Sequence, residues 1–173
     1  GYAPTQINDL NNYYGTEAEL KSAISSLTPC KAIADIVVNH RGGTTSWGDF
    51  SNPKWGEDYY AICSDDEGFT DSSSPMKGAT KRGKSDTGEP YGASRDLDHT
   101  NPAVQQGITT WMNAILRQAG FYGWRYDFVK GFDGKYVGQY NRDTLAEFSV
   151  GEYWPTVGFD ASYPDTWGGT IKG

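Results

Sequence analysis

Strand-like and helix-like segments alternate along most of this sequence, and that alternation restricts the fold more than any other feature. The strand-like runs are short and rich in apolar, β-branched or aromatic residues, whereas the segments between them carry apolar residues at helical spacing. This order predicts a parallel sheet covered by helices, in the α/β class. The predicted strands span 31–38, 123–130 and 148–154, and the predicted helices begin near Thr16, Asn101 and Tyr136.

Local signals support these elements. Thr16 and Glu19 have the spacing of a capping box, and Asn101 followed by Pro102 is typical of a helix start. The strand over 31–38 is apolar on both faces, which predicts burial between two layers of helices.

The segment over 41–95 has a different character. Gly, Ser, Asp, Lys and Trp dominate it, and no apolar period persists. A long irregular segment inside a compact domain usually has a function of its own. We therefore interpret 41–95 as an insertion between the first predicted strand and the helix that begins near Asn101.

Charged residues lie at the ends of two predicted strands. Arg125 and Asp127 are two residues apart and so share one face of their strand, and Glu152 lies in the next strand. An Arg and an Asp at this spacing are usually a structural ion pair. Two carboxylates on neighbouring strand ends also suit glycoside hydrolysis, and the arginine would keep one of them ionised.

Three motifs together resemble the α-amylase family of retaining glycoside hydrolases, glycoside hydrolase family 13. The run Asp-Ile-Val-Val-Asn-His over 35–40 resembles the family segment after its third barrel strand. The Gly-x-Arg-x-Asp run that begins at Gly123 and the Val-Gly-Glu-Tyr-Trp run over 150–154 resemble those on the fourth and fifth strands. Lys130-Gly131 resembles the plant-type members in particular.

The resemblance implies an incomplete (β/α)8 TIM barrel, about strands 3 to 5, formed by 1–40 and 96–173. An irregular calcium-binding insertion domain would span 41–95. It also implies that Asp127 is the nucleophile and Glu152 the general acid and base, with Glu152 titrating at the higher pH. The implied substrate-binding residues are His40, Arg125, Lys130 and Trp154.

The resemblance further implies a bound Ca²⁺ ion that links the insertion to the barrel. Hard oxygen ligands suit this ion. Chelation should then loosen the insertion before the barrel. The implied ligands are the side chains of Asn39, Asp86 and Asp96 and the backbone carbonyls of Glu89 and Gly131.

Composition excludes several functions and leaves others open. The net charge of -7 and the pI near 4.7 argue against a nucleic-acid partner. No apolar run reaches membrane-spanning length. Cys30 and Cys63 are too few for a disulfide framework, and we expect no bridge between them. The resemblance implies an α-1,4-glucan such as starch as substrate, secretion or a plastid location, and a monomeric full-length protein.

The family's third essential aspartate has no counterpart in this chain, and a complete barrel takes about 250 residues. We therefore expect a partial α-amylase that is inactive by itself. Two other functions stay open. One is an exo-acting maltooligosaccharide hydrolase or a transglycosylase on the same fold, and the other is a non-catalytic protein that binds calcium and glucan.

Overall fold

A three-stranded parallel sheet forms the centre of the computed structural model, which describes residues 2–57 and 59–154. The strands lie in the order β1-β4-β5, and helices connect them in sequence. Predictions for 155–173 lie outside the described residues. The elements are α1 (Glu17–Ser25), β1 (Ile33–Ile36), β2 (His40–Arg41), β3 (Arg95–Asp96), α2 (Pro102–Trp111), α3 (Arg117–Ala119), β4 (Gly123–Tyr126), α4 (Gly134–Asp143) and β5 (Ser149–Gly151).

The register of the sheet brings charged side chains to one end. Asp35 on β1 lies opposite Arg125 on β4, which in turn lies opposite Val150 on β5. Asp127 and Glu152 follow directly after β4 and β5. The carboxyl ends of the parallel strands therefore carry all three acids.

The prediction that both faces of the first strand are buried is wrong for the described residues. Residues along β1 alternate between exposed and buried, with Ala34 and Ile36 buried and Asp35 exposed. On the neighbouring strand, Trp124 and Tyr126 are buried in the same apolar core as Ala34 and Ile36. That face of the sheet packs against the apolar core, and the other face carries Asp35 and its ionic partner Arg125.

The helix signals of the sequence are confirmed. The Thr16 hydroxyl accepts from the Glu19 backbone N–H, and the Glu19 carboxylate accepts from the Thr16 N–H, which completes the capping box before α1. Asn101 caps α2 through the Ala103 N–H. A π-helical turn over Met112–Leu116 joins α2 to α3, and the helix ends at Gly120 in the left-handed conformation.

The segment 41–95 is mostly irregular, and a two-stranded antiparallel ribbon of β2 and β3 closes its two ends. Its buried Arg95 donates to the carboxylates of Asp66 and Glu67. Apolar side chains of the segment, including Trp55 and Ile62, belong to the same core as those of the sheet and α2. The insertion and the barrel part thus share one apolar core.

Two further observations concern the chain as a whole. Cys30 is exposed and Cys63 is buried, and both are free, as the sequence predicts. Within 2–57 and 59–154, no helix combines the length and apolar character that crossing a bilayer requires.

The contact between the insertion and α2 leads to a stability prediction. A Cβ atom at Gly107 would lie 2.2 Å from Trp55 Nε1 and would also clash with two carbon atoms of the same buried indole ring. We expect Gly107→Ala to lower the free energy of unfolding by about 1 to 3 kcal/mol. The control is Gly138→Ala in α4, where the added Cβ would contact only the flexible end of the Arg142 side chain. We expect this control to raise the free energy of unfolding by about 0.5 to 1 kcal/mol. Urea denaturation measures both, and equal stabilisation by the two variants would contradict the packing.

Candidate active site

The Arg125 guanidinium connects three carboxylates at the carboxyl ends of the strands. Its Nη1 lies 2.8 Å from Asp35 Oδ1 and 3.0 Å from Asp127 Oδ1. Its Nη2 lies 2.9 Å from Glu152 Oε1. A planar guanidinium can make these contacts at once because its donors point in fixed, separate directions. Arg125 therefore brings together the two predicted catalytic acids, Asp127 and Glu152.

The carboxyl groups of Asp127 and Glu152 both contact Arg125, yet their environments differ. Burial raises the pKa of Asp127, against the opposing effect of Arg125. The backbone N–H of Phe128 lowers the pKa of Glu152, with further help from Asp127 and Arg125. The directions of these two shifts are opposite to the predicted ones. The sequence could not reveal that Glu152 receives a backbone donor while Asp127 is the more buried acid.

Sequence reasoning missed two residues of this cluster. The Tyr2 hydroxyl donates to Asp35 Oδ2 at 3.0 Å, and the Arg125 guanidinium lies 5.8 Å from the centre of the Tyr2 ring. Hydrogen bonding to Asp35 raises the pKa of the Tyr2 hydroxyl. The parallel register could have pointed to Asp35, which lies opposite Arg125, but no local pattern marks Tyr2.

His40 is fully buried rather than open to the surface. Its ring stacks on Tyr91 with 3.8 Å between ring centres, and its Nε2 lies 2.7 Å from the Tyr2 carbonyl oxygen, which accepts the hydrogen bond. Burial lowers the pKa of His40, which favours the neutral ring. A sugar contact would require the bond to Tyr2 to open, so the substrate role of His40 stays a prediction.

Lys130 and Trp154 lie together at the rim of the cluster. Lys130 Nζ is 4.0 Å from the centre of the Trp154 ring and 2.8 Å from Glu89 Oε2. Trp154 is about half exposed, whereas the Lys130 side chain is mostly covered. The contacts of Lys130 and Trp154 with substrate stay predictions. The ion pair between Glu89 and Lys130 connects the insertion to the loop after β4.

The predicted calcium ligands converge between the insertion and the sheet. Asn39 Nδ2 lies 3.2 Å from Asp96 Oδ1, and Asp96 Oδ2 accepts from the Tyr91 N–H. A Cβ at Gly131 would lie 2.1 Å from Asn39 Oδ1, so glycine alone allows this approach. The Glu89 N–H donates to the Lys130 carbonyl, which keeps Glu89 next to Gly131.

Unsatisfied oxygens at this place fit a cation. Asn39 Oδ1 and Asp86 Oδ2 are buried without any hydrogen-bond partner. Burial, together with the neighbouring charges of Asp86 and Asp66, raises the pKa of Asp96 to about 8. In the described part of the chain no three His, Cys, Asp or Glu side chains are grouped for a metal. The donor set here instead combines two carboxylates with an amide oxygen, and backbone carbonyls would complete it.

The acids at the strand ends, next to an irregular insertion, give the sheet the layout of one part of a (β/α)8-barrel rim. The description "Alpha amylase, catalytic domain" belongs to the family whose sequence model matches residues 1–152. The chain therefore belongs to the α-amylase family, as its motifs predict.

Individual relatives agree with this assignment. "Alpha-amylase 3, chloroplastic" of Arabidopsis thaliana is 30% identical over 175 residues, which cover 92% of this chain and 18% of that protein. "Probable alpha-amylase 2" of the same plant is 31% identical over 162 residues, which cover 92% of this chain and 37% of that protein. The chain thus spans well under half the length of these two relatives.

Solved structures show the same fold. An α-amylase from Malbranchea cinnamomea matches with a TM-score of 0.63 and 25% identity, over 94% of this chain and 33% of that one. The α-amylase of Geobacillus thermoleovorans, solved in complex with acarbose, matches with a TM-score of 0.59 and 20% identity, over 90% of this chain and 33% of that one. The three described strands are thus part of a (β/α)8 barrel.

Proposed function

We propose that this chain carries the nucleophile and the general acid of an α-amylase that cuts internal α-1,4-glucosidic bonds of starch or a related glucan. One observation carries the proposal: Arg125 holds Asp127 and Glu152 together at the ends of adjacent parallel strands. Both carboxylates contact one guanidinium, Asp127 through Nη1 and Glu152 through Nη2, and this closeness supports a retaining mechanism, which needs roughly 5 to 5.5 Å between the two groups. An inverting pair would lie farther apart.

In this mechanism Asp127 attacks the anomeric carbon while the glycosidic oxygen leaves. Arg125 keeps Asp127 oriented and, through its charge, favours the carboxylate form that a nucleophile needs. Glu152 donates its proton to the leaving oxygen and afterwards takes a proton from the attacking water. The low pKa of Glu152 in this structure suits the second step, so binding of a glucan must raise it for the first.

The test uses the complete product of the coding sequence. Its substrate is a maltooligosaccharide that is blocked at the non-reducing end. We expect internal cleavage, with release of short unblocked fragments and retention of the α-configuration. Failure to cut the blocked substrate, with cleavage of the unblocked one, would instead identify an exo-acting enzyme. Binding without any cleavage would identify a glucan-binding protein.

We also propose that Asn39, Asp86 and Asp96, with the carbonyls of Glu89 and Gly131, hold Ca²⁺. The unpartnered oxygens of Asn39 and Asp86 support this assignment. Such an ion would balance the buried acids and tie the insertion to the loop after β4, without a chemical step in hydrolysis. When a chelator removes calcium, we expect only 86–96 to become more accessible to protease. The rest of the insertion should stay folded, because its apolar side chains share one core with the sheet and α2.

Calcium should therefore stabilise the chain itself. At a hundredfold excess over its dissociation constant, a ligand specific for the folded state adds about 2.7 kcal/mol. We expect calcium to raise the thermal unfolding midpoint of the wild-type chain but not of Asp86→Asn. The control, Asp71→Asn, changes an acid outside the proposed ligand set, which accepts from Ser73, and should keep the response. An equal response in all three proteins, or protease cuts spread over 41–95 after chelation, would contradict the assignment.

A further inference from the structure

Phe128, the residue directly after Asp127, has an unusual backbone conformation. Its φ of 42° and ψ of 49° lie in the left-handed region, which bulky residues rarely adopt. Such a conformation persists only where the surroundings enforce it, and it is common at functional sites.

Two amides of this left-handed turn contact the general acid. The Phe128 N–H donates to Glu152 Oε2 at 3.1 Å, while Arg125 Nη2 lies 2.9 Å from the other oxygen, Oε1. Each carboxylate oxygen of Glu152 thus has its own donor. The next amide, that of Val129, donates instead to the backbone carbonyl of Glu152 at 3.3 Å. Two successive amides fix the residue, one through its side chain and one through its backbone.

Aromatic packing holds this conformation in place. The Phe128 side chain is 7% exposed, and its ring centre lies 5.2 Å from that of Tyr91 and 6.0 Å from that of Trp154. Tyr91 comes from the insertion and in turn stacks on His40. The insertion therefore supports a backbone conformation whose amide reaches the catalytic acid.

We propose that Phe128 is a positioning residue for Glu152, because its amide N–H donates to the Glu152 carboxylate beside Asp127 and its left-handed backbone brings the next amide, that of Val129, onto the Glu152 carbonyl. This inference rests on the catalytic roles proposed above. The charged groups around Glu152 are Asp127 and Arg125, with Asp35 on the far side of the guanidinium. Among the effects that lower the pKa of Glu152, the Phe128 N–H is the largest.

A backbone substitution tests the proposal without altering any side chain. Phenyllactic acid at position 128 replaces the amide by an ester and removes only the N–H. We expect the midpoint of the Glu152 carboxyl ¹³C titration in this chain to rise by about one pH unit. The matched control is the ester at Val129, which removes the donor to the Glu152 carbonyl and should leave the midpoint unchanged. An unchanged midpoint with the ester at 128 would overturn the proposal.

Side-chain variants test the conformation separately. Phe128→Gly and Phe128→Ala both remove the ring, but only glycine adopts positive φ without strain. We expect the glycine variant to be the more stable of the two and to keep the low Glu152 midpoint, which the alanine variant should lose in part. Greater stability of the alanine variant would contradict the left-handed backbone.

A kinetic readout links the contact to catalysis. In the protein as its coding sequence produces it, the ester at 128 should move the alkaline limb of kcat/KM to higher pH with little change in KM. A shifted titration midpoint with no hydrolysis in the wild type would preserve the positioning contact and reject the proposed function. A normal pH profile in an active ester variant would reject Phe128 as a positioning residue.

Discussion

In the complete product of the coding sequence, replacing Asp127 by Asn is expected to reduce starch hydrolysis by about 10⁴-fold or more. The amide has nearly the same shape but cannot form the covalent bond to the anomeric carbon, and the loss of a nucleophile removes the whole first step. Glucan binding should persist, because the other contacts of the cleft are unchanged. Turnover of soluble starch and calorimetric titration with a maltooligosaccharide measure the two properties in the same protein.

The matched control is Asp143→Asn, at the exposed end of α4 and outside the acid cluster. We expect its turnover to equal that of the wild type. Hydrolysis by Asp127→Asn within tenfold of the wild-type rate would reject Asp127 as the nucleophile. Equal binding in both proteins with no hydrolysis in either would favour the glucan-binding function.

Replacing Arg125 by Lys is expected to lower kcat by about 10² to 10³-fold, as the loss of one well-placed donor does in other active sites. An ammonium carries the same charge but cannot contact Asp35, Asp127 and Glu152 from one planar group. Because Arg125 opposes the effect of burial, its loss should also raise the pKa of Asp127. The pH profile of kcat/KM measures this change as a shift of the acidic limb to higher pH.

The control for charge and size is Arg142→Lys, at the exposed C-terminal end of α4. It should leave both kcat and the pH profile unchanged. Retention of more than a third of the wild-type kcat by Arg125→Lys would show that the three contacts do not need a guanidinium.

The fold was predictable where local chemistry is decisive. The capping box at Thr16 and the Asn101-Pro102 helix start both follow from residue type and spacing, and the structure has each of them. The alternation of segments predicted a parallel sheet, because parallel strands require long connections. Motif resemblance then led to the correct family.

What could not be predicted depends on tertiary contacts. The lowered pKa of Glu152 depends chiefly on the backbone amide of Phe128, which donates to its carboxylate. The burial of His40 depends on Tyr91, 51 positions later in a segment without any period. Tyr2 reaches Asp35 only because the chain folds back over β1. None of these contacts has a local sequence signature.

The most direct test of the central claim is to identify the residue that becomes glycosylated during turnover. In Glu152→Gln, α-maltosyl fluoride can still react, because fluoride leaves without a proton, whereas hydrolysis of the adduct lacks its base. The covalent intermediate should therefore accumulate, and peptide mass spectrometry should place the maltosyl group on Asp127. A maltosyl group on any other residue, or turnover to the β-product without an adduct, would contradict the account.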